Sequence, residues 1–224
     1  MTTLSGLYVP MITPFDAAGE VAFDALGKLA HDVLDGGADG LVVLGTTGEP
    51  STLTPAERAA VLDLLVAVCR DRGAPVLAGA NDAASLRALP AVTAALTLVP
   101  PFLRPGEDGV VAHLSALAAG SPVPLVVYHV PHRTGQPLSA AALRRIAAIP
   151  GVAGLKHAAG GIDAATVDLM ADVPAGFAVL GGDDMFIAPL LALGAHGAVL
   201  ASAHVATGAY AQLVAAWQAG DAGP

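Results

Sequence analysis

The chain contains only two lysines, Lys28 within a helical pattern and Lys156 closing the apolar stretch GVAGL. Lysine is depleted in strands and costly to bury, because loss of water disfavours the ammonium form. The same penalty frees the amine's lone pair nearer neutral pH, and a neutral amine attacks a carbonyl to give a Schiff base. A lysine whose head emerges into water at a rim is the other reading of this position. Tyr128 ends a second apolar stretch, LVVY. Its phenol can pass protons during imine formation and carbon–carbon bond chemistry, although a core tyrosine looks the same in sequence. In the loop GTTGE, Thr46 and Thr47 offer hydroxyls and amides to a small carboxylate while Gly45 and Gly48 permit close backbone approach. Taken alone, that loop is also an ordinary turn.

Two other groups invite different chemistry. His129, His132 and His157 suggest a metal, but no H-E-x-x-H or other close-spaced ligand pattern accompanies them, so they read as polar loop residues and no metal is expected. Asp183-Asp184, following Gly181-Gly182, reads as the opening of a helix, where acidic residues favour the positive end of the dipole.

These residues must be positioned by regular elements, and the chain repeats one unit. Short apolar runs stand at Gly6–Ile12, Gly40–Leu44, Val76–Ala78, Leu96–Val99, Leu125–Val127, Val152–Leu155, Ala178–Leu180 and Ala198–Ala201, each followed by a helical pattern. Phe23, Leu26, Leu29, Val33 and Leu34 recur at helical spacing, and Thr54-Pro55-Ala56-Glu57 reads as a capping box with proline at the first helical position. The pattern at Asp82–Ala94 contains Pro90 and is the weakest of the eight. Strands apolar throughout are those buried on both faces, so the expected fold is α/β, a closed (β/α)8 TIM barrel. A doubly wound open sheet is the alternative, but neither G-x-G-x-x-G nor G-x-x-x-x-G-K-[ST] follows any strand. In a barrel, catalytic groups come from the strands' C-terminal ends, where Tyr128, Lys156 and the Thr46-Thr47 loop all stand.

Composition agrees with one compact domain. Hydrophobic residues make up 54% of 224 and charged residues 13%, ample for a large core. The expectation is a barrel over residues 1–219 with a loose tail at 220–224. A net charge of −9 offers no basic field to phosphate backbones or anionic lipid, so neither nucleic acid nor membrane is expected as a partner. Cys69, the only cysteine, fits a reducing compartment, and the start MTTLSGLYVP lacks the marks of a signal peptide; a cytoplasmic protein is expected.

With lysine, tyrosine and the Thr-Thr loop placed on strands six, five and two, the sequence resembles the dihydrodipicolinate synthase / N-acetylneuraminate lyase family of Schiff-base aldolases. The resemblance is carried by PMITPF, GLVVLGTTGEPSTLT, VVYHVPHRTG, GVAGLKHAAGG, VLGGDD and GAHGAVLASAHVA, in order from residue 10 to 206. It implies Lys156 as the Schiff-base lysine, Tyr128 as proton relay, and Thr46 and Thr47 as relay and pyruvate-carboxylate contacts. It further implies Arg133 as the arginine that holds the carboxylate of the aldehyde in the synthase branch, and Gly182 as a backbone position beside the bound imine. No cofactor is implied. The implied activity is condensation of pyruvate with aspartate semialdehyde, on the route to lysine and diaminopimelate, by a homo-oligomer, dimer or tetramer.

Several positions depart from the family's pattern. Phe102 stands where the synthase places a second relay tyrosine across its dimer interface, which keeps a 2-keto-3-deoxy sugar acid aldolase or N-acetylneuraminate lyase as the alternative. A catalytically weak keto-acid-binding paralogue is the alternative of another class. The family's asparagine after the strand-five tyrosine is His129 here, and its acidic residue after the lysine is His157. Members usually continue into further helices, so the barrel is expected to lack most of the family's C-terminal helical extension.

Overall fold

The computed structural model describes residues 4–221. Eight parallel strands close into a barrel in sequence order: β1 (Gly6–Pro10), β2 (Gly40–Val43), β3 (Val76–Gly79), β4 (Ala94–Leu98), β5 (Leu125–His129), β6 (Val152–His157), β7 (Ala178–Gly181) and β8 (Gly197–Val199), which pairs back onto β1. The expected (β/α)8 barrel is therefore the fold. The strands are short and apolar because both of their faces are covered, and alternate residues enter two separate layers. Tyr8, Val42, Leu77, Leu96, Val126, Leu180 and Val199 fill the barrel interior. Their strand neighbours Leu7, Leu41, Val76, Leu125 and Val179 pack outward with Leu65, Leu114 and Leu143 of the surrounding helices.

The helices are α1 (Phe23–Asp35), α2 (Pro55–Arg72), α3 (Ala83–Arg87), α4 (Gly106–Gly120), α5 (Pro131–Thr134), α6 (Ala140–Ala147), α7 (Ala164–Ala171), α8 (Ile187–Ala192) and α9 (Ala203–Gln218). The capping box at α2 forms as expected: Thr54 accepts from the Glu57 amide, and the Glu57 carboxylate accepts from the Thr54 amide and hydroxyl. No helix among the described residues is long and apolar enough to cross a membrane.

Three expectations need correction. The helix expected over Asp82–Ala94 ends at Arg87, since Pro90 has no N–H to donate and its ring would clash with a carbonyl one turn earlier. With the helix gone, β4 starts at Ala94 rather than Leu96. A ninth helix, α5, sits between β5 and the barrel helix α6, opened by Pro131 and closed by Gly135 in the left-handed region. Of the expected tail, Gly220 and Asp221 donate to Trp217 and Ala216 carbonyls at the end of α9, while 222–224 lie outside the described residues.

Candidate active site

The side chains singled out from the sequence meet at one end of the barrel. Pro10, Thr46, Thr47, Tyr128, Arg133, Lys156 and Gly182 line a single pocket of about 200 Å³ at the strands' C-terminal ends, together with His132, Asp183 and Asp184. Tyr128 and Lys156 are direct partners across β5 and β6. They share the inward-facing parity of Val126, so both side chains cap the interior layer. A one-residue shift between the strands sets this pairing: Leu125 lies opposite Val152, but Val126 lies opposite Gly154, leaving Ala153 without a partner. Without the shift Leu155, not Lys156, would face Tyr128.

Lys156 is only 5% exposed, and its Nζ stands 4.2 Å from the centroid of the Tyr128 ring. Burial, and then the like charge of Arg133, lower the amine from its ordinary 10.5 to about 8, with Asp184 and Asp183 opposing the shift. About a tenth of the amine is thus unprotonated at pH 7, on the order of a hundredfold more than for an ordinary lysine. The Tyr128 hydroxyl is pushed up by burial and held back by a hydrogen bond with the Thr46 side chain, so it stays a proton carrier rather than a phenolate.

Thr46 and Thr47 belong to a 3-10 turn, Thr46–Gly48, directly after β2. That turn is clamped from below: the Thr13 hydroxyl donates to the Gly48 carbonyl at 2.7 Å, and a Cβ at Gly48 would lie 2.9 Å from the Met11 carbonyl oxygen. Gly182 leaves space for the lysine itself. A Cβ there would come within 2.9 Å of Lys156 Cε and 3.0 Å of Ala158 Cβ, and the Gly182 amide donates to the His157 carbonyl at 2.7 Å. Arg133 is exposed on α5 at the pocket's edge. The carboxylates of the neighbouring α4 are engaged elsewhere, Asp108 with Arg145 and Glu107 with Ser139.

Two readings made from the sequence need revision. Asp183 and Asp184 do open a helical turn, with Asp184 in its first turn, but neither side chain caps it. The Asp183 carboxylate accepts from the Gly160 amide at 2.8 Å and that of Asp184 from the Ser202 amide at 3.0 Å, tying neighbouring strand loops together beside the pocket. Their position right after strand seven was the signal, and the helix-dipole argument masked it. His129 and His157 are not polar loop residues: they end β5 and β6, are 3% and 4% exposed, and lie outside the barrel wall with ring centroids 5.8 Å apart. His132 alone is exposed at the mouth. No group of three or more His, Cys, Asp or Glu among the described residues is placed to hold a metal ion.

The profile of a family described as "Dihydrodipicolinate synthetase family" matches residues 3–223. A 4-hydroxy-tetrahydrodipicolinate synthase of Moorella thermoacetica is 38% identical over 218 residues, 94% of this chain and 74% of that protein. One of Synechococcus elongatus is 37% identical over 220 residues, with 94% and 73% covered. Among solved structures, the chloride-inhibited dihydrodipicolinate synthase of Acinetobacter baumannii in complex with pyruvate superimposes with a TM-score of 0.92 at 32% identity, covering 98% of this chain and 77% of that one. The chain thus spans about three quarters of the proteins it resembles.

Proposed function

This chain belongs to the dihydrodipicolinate synthetase family, and we propose from that premise that it condenses pyruvate with aspartate semialdehyde through an imine on Lys156. The observation that carries the reading is a lysine 5% exposed, lowered to about 8, in a pocket with a tyrosine and a threonine pair. The Lys156 amine attacks the pyruvate ketone, water leaves, and the imine loses a methyl proton to become an enamine. The enamine carbon then attacks the aldehyde, whose oxygen takes up a proton. Tyr128, hydrogen-bonded to Thr46, carries these protons, since its ring lies against the amine and its hydroxyl stays protonated. Thr47 and the turn amides hold the pyruvate carboxylate. Arg133 suits the carboxylate of the aldehyde, because a guanidinium fork matches it bidentately. Gly182 keeps the imine's surroundings open.

Phe102 supports a second reading. It lacks the relay hydroxyl, is 88% exposed and does not line the pocket, so cleavage of a keto-deoxy sugar acid is the rival activity. A homo-oligomer, dimer or tetramer, acting in the cytoplasm completes the proposal; the exposed Phe102-Leu103 tip and a lone buried thiol at Cys69 support those two parts.

Borohydride in the presence of pyruvate tests the chemistry. Mass spectrometry should find one reduced pyruvate adduct per chain, on Lys156. An adduct on Lys28 instead, or none on folded protein, would defeat the mechanism. Running the trapped enzyme's parent with aspartate semialdehyde and with a keto-deoxy sugar acid then separates the two activities.

A further inference from the structure

Directly beyond the Tyr128–Lys156 pair, the next partners along β5 and β6 are His129 and His157. Their side chains point the opposite way, out of the barrel and into a space closed off from water. Buried polar side chains are costly unless satisfied, yet Nδ1 of both rings has no hydrogen-bond partner. The rest of the arrangement is ordered. His157 Nε2 lies 2.9 Å from Thr166 Oγ1, and the Thr166 hydroxyl donates to Asp163 Oδ1 at 2.8 Å. Asp163 also accepts from the Thr166 amide at 2.8 Å, and these bonds hold its carboxyl below the usual range, so it is an ionised acceptor. A threonine hydroxyl has one proton, and here it is spent on Asp163. Its oxygen must therefore accept from His157, which fixes that ring as the Nε2–H tautomer.

The consequence reaches the pocket through the backbone. The His157 carbonyl accepts from Gly182, which packs on Lys156 Cε, and the His129 carbonyl accepts from Ala158, another pocket-lining residue. The chain Asp163–Thr166–His157 thus grips the end of β6 from behind, at the residue next to the reactive lysine. We propose that His157 is a positioning residue for Lys156: as the neutral Nε2–H tautomer, with the His129 ring against it, it ties the end of β6 to α7. The charged groups facing the two rings are Asp163 at the start of α7 and Asp183 after β7, with each ring facing the other. Asp183 is already bound to the Gly160 amide, and Asp163 reaches His157 only through Thr166. Two imidazolium rings would lack a direct counter-ion. Burial and His157 push His129 down to about 4, and burial lowers His157 as well.

The inference rests on the lysine–imine reading, and its tests separate the two. Imidazole ¹⁵N spectra of the full chain should show both rings neutral at pH 7, with His157 in the Nε2–H form. A charged ring, or a His157 Nδ1–H form, overturns the proposal whatever the substrate. His157→Leu removes the donor to Thr166 and should lower kcat by about ten- to a hundredfold while KM for pyruvate changes by less than about threefold, since small misplacements of a reacting group cost that much. His157→Gln, whose amide reaches the same acceptor, should recover most of that loss. Unchanged kcat in His157→Leu, or no rescue by glutamine, overturns the inference while leaving the imine intact. Should the leucine variant fail to fold, Thr166→Val removes the same bond from α7, and full activity there is equally fatal. Absence of any adduct in the parent sinks the imine reading and the positioning role together.

Discussion

At Lys156 the fold keeps a cation where water barely reaches, and the cost is visible in its lowered affinity for a proton. The amine titrates at about 8 in the folded chain against an ordinary 10.5. Between those values the unfolded chain binds a proton that the native one has lost, so stability rises with pH across that window. Below about 8 both states are charged and the native state bears the whole desolvation penalty, on the order of 3 kcal/mol. Lys156→Met should therefore unfold at higher denaturant than the parent at pH 7, with the gap closing towards pH 10.5. A gap that is the same at both pH values would show that the lysine is not under strain. Tyr128 belongs to the same scale. Tyr128→Phe keeps the ring beneath Nζ and deletes only the hydroxyl that bonds Thr46. Imine trapping should survive, while turnover falls by about 10²–10⁴-fold, the usual contribution of a positioned acid-base group. A fully active phenylalanine variant would make Tyr128 a packing residue.

Elements show what a sequence can disclose and where it falls silent. The eight apolar runs were legible because a strand covered on both faces cannot alternate, and the α2 capping box because its residues contact one another locally. The short α3 was half legible: Pro90 warned of it, but where the helix stops depends on how soon β4 must begin. The shift that leaves Ala153 unpaired was invisible, since register is set by neighbouring strands rather than by either strand's own residues. Yet that shift decides which residue of β6 faces Tyr128. The histidines were misread for a related reason. In sequence His129 follows Tyr128 and His157 follows Lys156, past the apolar runs of their strands, and both look like the start of a loop. In the barrel each is the last residue of its strand and points outward, His157 onto Thr166 of α7. For Asp183 and Asp184 the sequence spoke only of the helix they open, and only the fold reveals the Gly160 and Ser202 amides that claim them.

For the molecule as a whole, exposed apolar surface is unevenly spread. Among the described residues the most exposed large apolar side chains are Val205 at 89%, Phe102 at 88%, Met185 at 86% and Leu103 at 79%, each in a segment that follows the C-terminal end of a strand. They stand at the end of the barrel where the pocket opens. The Phe102-Leu103 tip is also strained: Phe102 and Arg104 have φ of 67° and 45°, a left-handed conformation that costs a residue with a side chain about 1–2 kcal/mol. One bond, from the Phe102 amide to the Thr134 carbonyl, ties it to α5 beside Arg133. A strained, apolar tip at the mouth is suited to burial against a second copy, which is the physical content of the proposed homo-oligomer. Leu103→Asp should then put an unpaired charge into a dry contact, a loss of about 3–5 kcal/mol that weakens association by more than a hundredfold. Sedimentation at tens of micromolar should show the parent as a dimer or tetramer and Leu103→Asp largely as a monomer. Val167→Asp, on α7 and 47% exposed, serves as the control and should leave the mass unchanged. If Leu103→Asp sediments with the parent, the contact lies elsewhere on the barrel. A parent that is itself monomeric would leave the exposed tip as bare surface, and the pocket would have to work within one chain.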